Sequence, residues 1–237
     1  MRALILAAGV SRRLYPHTYN IPKCLLEVEG KPIIHYQLEA LRYLKVKDIT
    51  IIVGYHREML IENIEKYFPD LNFDFIVNHH YFETNTAYSV YEGKGKLNRE
   101  HLLMNADVVY PKELLVKLFN ASYENVLAVD VKSCGAEEVK VIDGKDNSIV
   151  SIGKDLIEEH CLGEFIGVAK FSREFMGLFV ESLGNLISAG GENDYFEAAI
   201  QPLLDKLKVN YIDVTEYPCL EIDFIEDLTS ARKLFKQ

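Results

Sequence analysis

Tryptophan is absent from the 237-residue chain, so any aromatic contact to a ligand falls to its 14 Tyr and 12 Phe. Cysteine is scarce. Cys24, Cys134, Cys161 and Cys219 form no CxxC pair, which argues against a zinc site and leaves reduced thiols as the expectation. Positive charge is in the minority. The 26 basic residues face 36 acidic ones, for a formal net charge of −10. That is the wrong sign for a general nucleic-acid binder, whose phosphate contacts need Lys and Arg. Long apolar runs are missing too. None reaches the roughly 20 residues that span a bilayer. The apolar stretch after Met1 is too short for an export signal and runs at once into Gly9, Arg12 and Arg13. The reading is a cytoplasmic protein with no nucleic-acid partner and no membrane insertion.

Apolar residues are plentiful at 49%, enough for a sizeable core. They fall in alternating patterns. Short apolar runs at Ala3–Ala7, Asp48–Val53, Asn72–Val77, His101–Met104 and Val126–Val131 read as strands. Between them, Pro32–Leu44, Glu58–Tyr67, Thr86–Gly93 and Lys112–Leu118 read as helices. This alternation implies right-handed βαβ units and a mainly parallel sheet. The later residues differ. Glu138–Ile142 and Ile149–Ile152 flank an Asp-Gly turn and predict a hairpin. Phe165–Phe171 and Asn210–Val214 are further strands, and Arg173–Leu183, Tyr195–Leu207 and Glu226–Phe235 further helices. The expected fold is α/β: a Rossmann-like three-layer sandwich with a mostly parallel central sheet and a smaller hairpin region. Without a linker or repeat, residues 1–237 read as one domain.

The most informative segment follows the first strand. Leu6-Ala7-Ala8-Gly9-Val10-Ser11-Arg12-Arg13-Leu14 is followed by Pro22-Lys23-Cys24-Leu25. A strand in an open α/β sheet delivers such a loop to the carboxyl edge, where ligands bind. Small residues let backbone N–H groups approach a phosphate chain. Arg12, Arg13 and Lys23 then concentrate the positive charge that an otherwise acidic chain must localise to hold a triphosphate. The pattern is neither GxGxxG nor GxxxxGK[ST], so neither a dinucleotide fold nor a P-loop ATPase is indicated.

With these motifs the chain resembles the sugar-phosphate nucleotidyltransferase family, and within it the CTP:phosphocholine cytidylyltransferases. The resemblance runs through Gly30–Gln37, Ile51–Tyr55, Asn85–Tyr91, Asn105-Ala106-Asp107 and Glu221–Leu228. One departure lies in the first loop. The family has Gly-x-Gly-[Ser/Thr]-Arg where this chain has Gly9-Val10-Ser11-Arg12-Arg13, so Arg13 aligns with the family's phosphate-contacting arginine. The resemblance implies a nucleotide-binding half at 1–130 and an acceptor-binding half at 131–237.

It further implies roles. Arg13 and Lys23 are the catalytic cations. Leu6, Ala8, Gly9, Ser11, Arg12, Asn85, Thr86, Ala87, Ser89, Asn105 and Ala106 join them around the nucleotide. Asp107 and Asp223, which alone read as helix caps or turn residues, become a pair holding the cofactor Mg2+, an ion that takes one or two carboxylates plus phosphate oxygens. Lys154 is implied at the acceptor phosphate, with Glu164, Glu192, Asp194 and Tyr195 around the rest of the acceptor.

The partners are then CTP and a small phosphorylated or phosphonylated acceptor, phosphocholine-like, in a monomer or homodimer. A hexose-1-phosphate enzyme using UTP or TTP, an inositol-phosphate or aminoethylphosphonate enzyme, and a silent nucleotide-binding domain remain open. The last would be marked by loss of Lys23, Asp107 or Asp223, and all three are present. The His residues form no ligand pattern.

Overall fold

The computed structural model describes residues 1–236. The first half supplies β1 (Arg2–Ala7), a short hairpin of β2 (Glu27–Val28) and β3 (Lys31–Pro32), α1 (Ile33–Tyr43), β4 (Asp48–Val53), α2 (Arg57–Tyr67), β5 (Asn72–Val77), α3 (Thr86–Glu92), β6 (His101–Asn105), β7 (Val108–Val109), α4 (Lys112–Asn120) and β8 (Val126–Asp130). The second half adds β9 (Lys140–Asp143), β10 (Ile149–Gly153), β11 (Gly163–Phe171), α5 (Arg173–Ser188), the single-turn α6 (Glu197–Ile200), β12 (Asn210–Asp213), β13 (Leu220–Glu221) and α7 (Ile225–Leu234).

Nine strands form one sheet. Its spine runs β10-β9-β11-β6-β1-β4-β5, with β8 beside β11 and β12 beside β8. The four strands β6, β1, β4 and β5 are parallel. The direction reverses at β11, which is antiparallel to β6, β8 and β9. Gly167 bends this long strand at φ 72, and a Cβ there would overlap the Asn105 side chain, so glycine is required on both counts.

Alternation along each strand divides the core. Ala3, Ile5 and Ala7 of β1 face α1, α2 and α4 with Leu38, Leu60 and Leu115. Leu4 and Leu6 face the opposite layer with Val90, Phe175 and Phe179. Three layers result, as the period-two pattern demands. The α5 helix starts where Ser172 Oγ accepts from Phe175 N at 3.2 Å, satisfying a first-turn donor. A third, smaller cluster packs α7 over the short strands through Val28, Val109, Ile222 and Leu228. Among the described residues no helix is long and apolar enough to cross a membrane.

One element departs from expectation. The helix read over Tyr195–Leu207 is a single α-turn followed by a 3-10 turn at Gln201–Leu203. Pro202 has no N–H to continue the α-helical ladder, and its ring disfavours the regular geometry behind it.

Candidate active site

A cavity of about 660 Å3 opens at the carboxyl edge of the parallel strands. The loop after β1 forms one wall. Ser11 carries the turn in a left-handed conformation, φ 55, and its carbonyl accepts from Thr18 Oγ1 at 3.0 Å. That conformation costs a non-glycine residue about 1–2 kcal/mol, and the hydrogen bond offsets part of it. Gly9 is exposed, and a Cβ on it would meet nothing within 4 Å, so packing within the protein does not demand glycine there. The Ala8 carbonyl is held by Tyr55 N at 3.1 Å.

The charged floor of the cavity is assembled from far-apart segments. Lys23 begins a 3-10 turn after Pro22. Its ammonium lies 2.7 Å from Asp107 and 2.7 Å from Asp223. Burial pulls the Lys23 pKa down, but Asp107, Asp223 and Glu221 outweigh it and the net shift is upward. Burial likewise pushes Asp223 up, and Lys23 and Arg13 reverse that and hold it below its ordinary value. Arg13 reaches Glu137 at 3.1 Å and Asp223 at 3.6 Å, and its guanidinium lies 5.2 Å from the centre of the Phe224 ring. Arg12 lies 5.4 Å from the Phe82 ring centre instead.

Asp107 follows β6, and the pairing of β7 with β13 sets Glu221 opposite Val108. Ile222 N donates to the Asp107 carbonyl at 3.0 Å, which fixes the two strand ends together. One oxygen each from Asp107, Glu221 and Asp223 then lies within 4.8 Å of the others. Asp107 Oδ1 is buried without a hydrogen-bond partner among the described residues. Burial first, then the charge of Asp107, pushes the Glu221 carboxyl above its ordinary value, against the pull of Lys23. Three crowded carboxylates with an orphaned oxygen match the donor set that a hard divalent cation prefers.

On the opposite wall Asn85 caps α3, its Oδ1 accepting from Thr86 N at 2.8 Å. Buried Asn78 donates to Ser89 Oγ and to Thr84 Oγ1, each at 3.1 Å. Beyond them, Lys154 follows β10. Its Nζ sits 3.3 Å from the Tyr195 hydroxyl and 4.3 Å from that ring's centre.

Leu6, Ala8, Gly9, Ser11, Arg12, Arg13, Lys23, Asn85, Thr86, Ser89, Asn105, Ala106, Asp107, Lys154, Tyr195 and Asp223 all line this cavity. Ala87, Glu164, Glu192 and Asp194 do not. Ala87 faces the core. Glu164 is ion-paired with Lys132 at 2.6 Å. Glu192 and Asp194 serve through their carbonyls, which accept from Asn85 N and Ala87 N at 2.9 and 3.1 Å and so close the start of α3. Sequence reasoning missed Glu137, Glu197, Glu221 and Asn78. Only Glu221 carried a usable sign, standing two residues before Asp223 in a short extended stretch.

An open α/β sheet with this charge arrangement at its carboxyl edge is that of a nucleotidyltransferase. Residues 3–160 match the model of the MobA-like NTP transferase domain, and the chain belongs to that family. The CTP:phosphoglutamine cytidylyltransferase of Campylobacter jejuni is 31% identical, covering 96% of this chain and 98% of its own. The choline-phosphate cytidylyltransferase of Streptococcus pneumoniae is 28% identical, covering 100% and 99%. A solved structure of the CTP:phosphocholine cytidylyltransferase from that organism superposes with a TM-score of 0.83 at 25% identity, covering 99% of each chain. These relatives are cytidylyltransferases whose names specify phosphorylated acceptors.

Proposed function

We propose that the protein transfers CMP from CTP to a small phosphorylated or phosphonylated acceptor and releases pyrophosphate, with Mg2+ as cofactor, in the cytoplasm. The observation that carries this reading is the meeting, in one cavity, of the Gly9–Arg13 loop, Lys23, the three carboxylates and Lys154. The cytidylyltransferase relatives support CTP as donor.

The acceptor phosphate oxygen forms a bond to the α-phosphorus of CTP while the bond from that phosphorus to the bridging oxygen breaks in line, and pyrophosphate departs with the electron pair. That phosphate is already ionised at neutral pH, so no general base is needed and catalysis is positioning and charge stabilisation. Asp107 and Asp223, with Glu221 beside them, would hold Mg2+, which supplies charge neutralisation at the phosphates when bound. Arg13 and Lys23 add fixed positive charge on the nucleotide side, and Lys154 orients the acceptor phosphate. The Asn85–Ser89 segment supplies short polar groups and backbone to read base and ribose.

Pyrophosphate release measured with CTP, UTP, ATP, GTP and TTP tests the reading. CTP is expected to give the highest kcat/KM, because a wrong base leaves polar groups of the site unpaired. Comparable values for CTP and TTP with the best acceptor would sink the assignment.

A further inference from the structure

Glu197 is a carboxyl that the transfer step does not use. It opens α6, is 3% exposed, and lines the cavity that Lys154, Tyr195, Phe165 and Val139 also line, with the Lys154 ammonium near enough to act on its charge. Its Oε2 is buried and meets no hydrogen-bond donor among the described residues. A buried, unpaired carboxyl oxygen is costly, and fold packing alone would be served better by an apolar side chain. Burial pushes the group up to about 7, against the opposing pull of its own backbone N–H and of Lys154.

The Tyr195 ring already carries the Lys154 ammonium, 4.3 Å from its centre. Phe165 is 2% exposed and meets Phe196 edge-on at 6.1 Å. Tryptophan is absent from the chain. A quaternary ammonium is held by free aromatic faces; here Lys154 already lies over the Tyr195 ring and Phe165 is packed into the core. Glu197 offers a hydrogen-bond acceptor without a donor.

We propose that Glu197 selects the acceptor, its carboxyl taking an N–H or O–H group of the acceptor beyond the phosphate that Lys154 holds. The substrates are then phosphorylated amines or alcohols with such a donor, not the quaternary ammonium of a phosphocholine-like acceptor. The inference rests on the transfer reading above and narrows its acceptor class.

Two matched pairs of acceptors test it with CTP and Mg2+. Phosphoethanolamine and phosphocholine differ by N–H groups, and glycerol 3-phosphate and propyl phosphate differ by hydroxyls. In the wild type the donor-bearing member of at least one pair is expected to have a kcat/KM about tenfold higher or more, since a missing donor leaves the buried oxygen unpaired. In Glu197→Leu the ratio falls to about twofold or less, through loss of turnover of the donor-bearing member. Glu197→Gln keeps a carbonyl acceptor and retains an intermediate ratio. A merely structural Glu197 would leave all these ratios alike. Faster turnover of phosphocholine and propyl phosphate than of their partners, or an unchanged ratio in Glu197→Leu, overturns the inference. So does CTP binding, seen by calorimetry, without transfer to any of the four. Absence of CTP binding in the wild type overturns instead the transfer reading beneath it.

Discussion

Lys23 balances the charge of the site. Its ammonium is 2.7 Å from each of two carboxylates and its side chain is 11% exposed. Lys23→Met leaves Asp107, Glu221 and Asp223 facing one another without it. Transition-state charge on the triphosphate also loses a partner, so kcat is expected to fall roughly 30- to 1,000-fold, about 2–4 kcal/mol. The uncompensated carboxylates should bind a cation more tightly, so Mg2+ is expected to raise the Tm of Lys23→Met more than that of the wild type. Calorimetric melts with and without Mg2+ check this, and equal shifts would count against it. Glu197 couples stability to pH. Its pKa is raised from an ordinary 4.5 to about 7 in the fold. Between those values the folded protein holds a proton that the unfolded chain has released. The stability associated with that proton is therefore fully present below about pH 4.5, is lost as pH rises to about 7, and stays lost above. Glu197→Leu removes this slope. Its Tm should exceed the wild-type value by a few degrees at pH 8 and by much less at pH 5. A difference independent of pH would contradict the assignment.

At the scale of elements, the turn after β4 sets the first loop. Gly54 packs so closely that a Cβ would lie 2.7 Å from the Ala8 carbonyl oxygen and 2.9 Å from the Tyr81 side chain. The next residue, Tyr55, donates its N–H to that same carbonyl. Gly54→Ala therefore pushes on the backbone between Ala7 and Gly9, and cannot be relieved by rotating a side chain. A cost of about 1–3 kcal/mol is expected in urea unfolding, the range for overpacking. CTP affinity should fall with it, because the displaced loop is the cavity wall. Normal CTP binding in a destabilised Gly54→Ala protein would separate the loop from nucleotide recognition.

For the whole molecule, the cavity joins segments from the first half of the chain to Lys154 and Tyr195 from the second. Lys154 touches Tyr195, while Lys23 touches the carboxylate cluster. These different contacts predict a split in kinetics. Lys154→Ala is expected to lower kcat/KM for the acceptor roughly 30- to 1,000-fold, mostly through a raised KM, and to leave CTP binding intact, because the acceptor phosphate is charged already in the ground state. Isothermal titration with CTP alone, beside steady-state kinetics in the acceptor, reads the two quantities. Loss of CTP binding with an unchanged acceptor KM would undo the division of labour between the two ends of the cavity.

The sequence by itself determined the layers and the first loop. Alternation of Ala3, Ile5 and Ala7 with Leu4 and Leu6 sorts β1 between two cores without reference to any distant residue. The run from Gly9 to Lys23 is contiguous, so its charge and its small residues are readable together. Only tertiary structure decided the rest. The strands β7 and β13 are two residues each, too short for any periodicity, and their pairing, with the Ile222 N–H on the Asp107 carbonyl, brings Glu221 and Asp223 to Asp107. Glu192 and Asp194 have acidic side chains, but their backbone carbonyls do the work at α3, and no composition reveals that. The reverse holds for Glu197. It reads as one charge in a helix, and packing of α6 against α5 and β10 buries it. Burial is a property of where elements meet, and a carboxyl acquires its cost and its use only there.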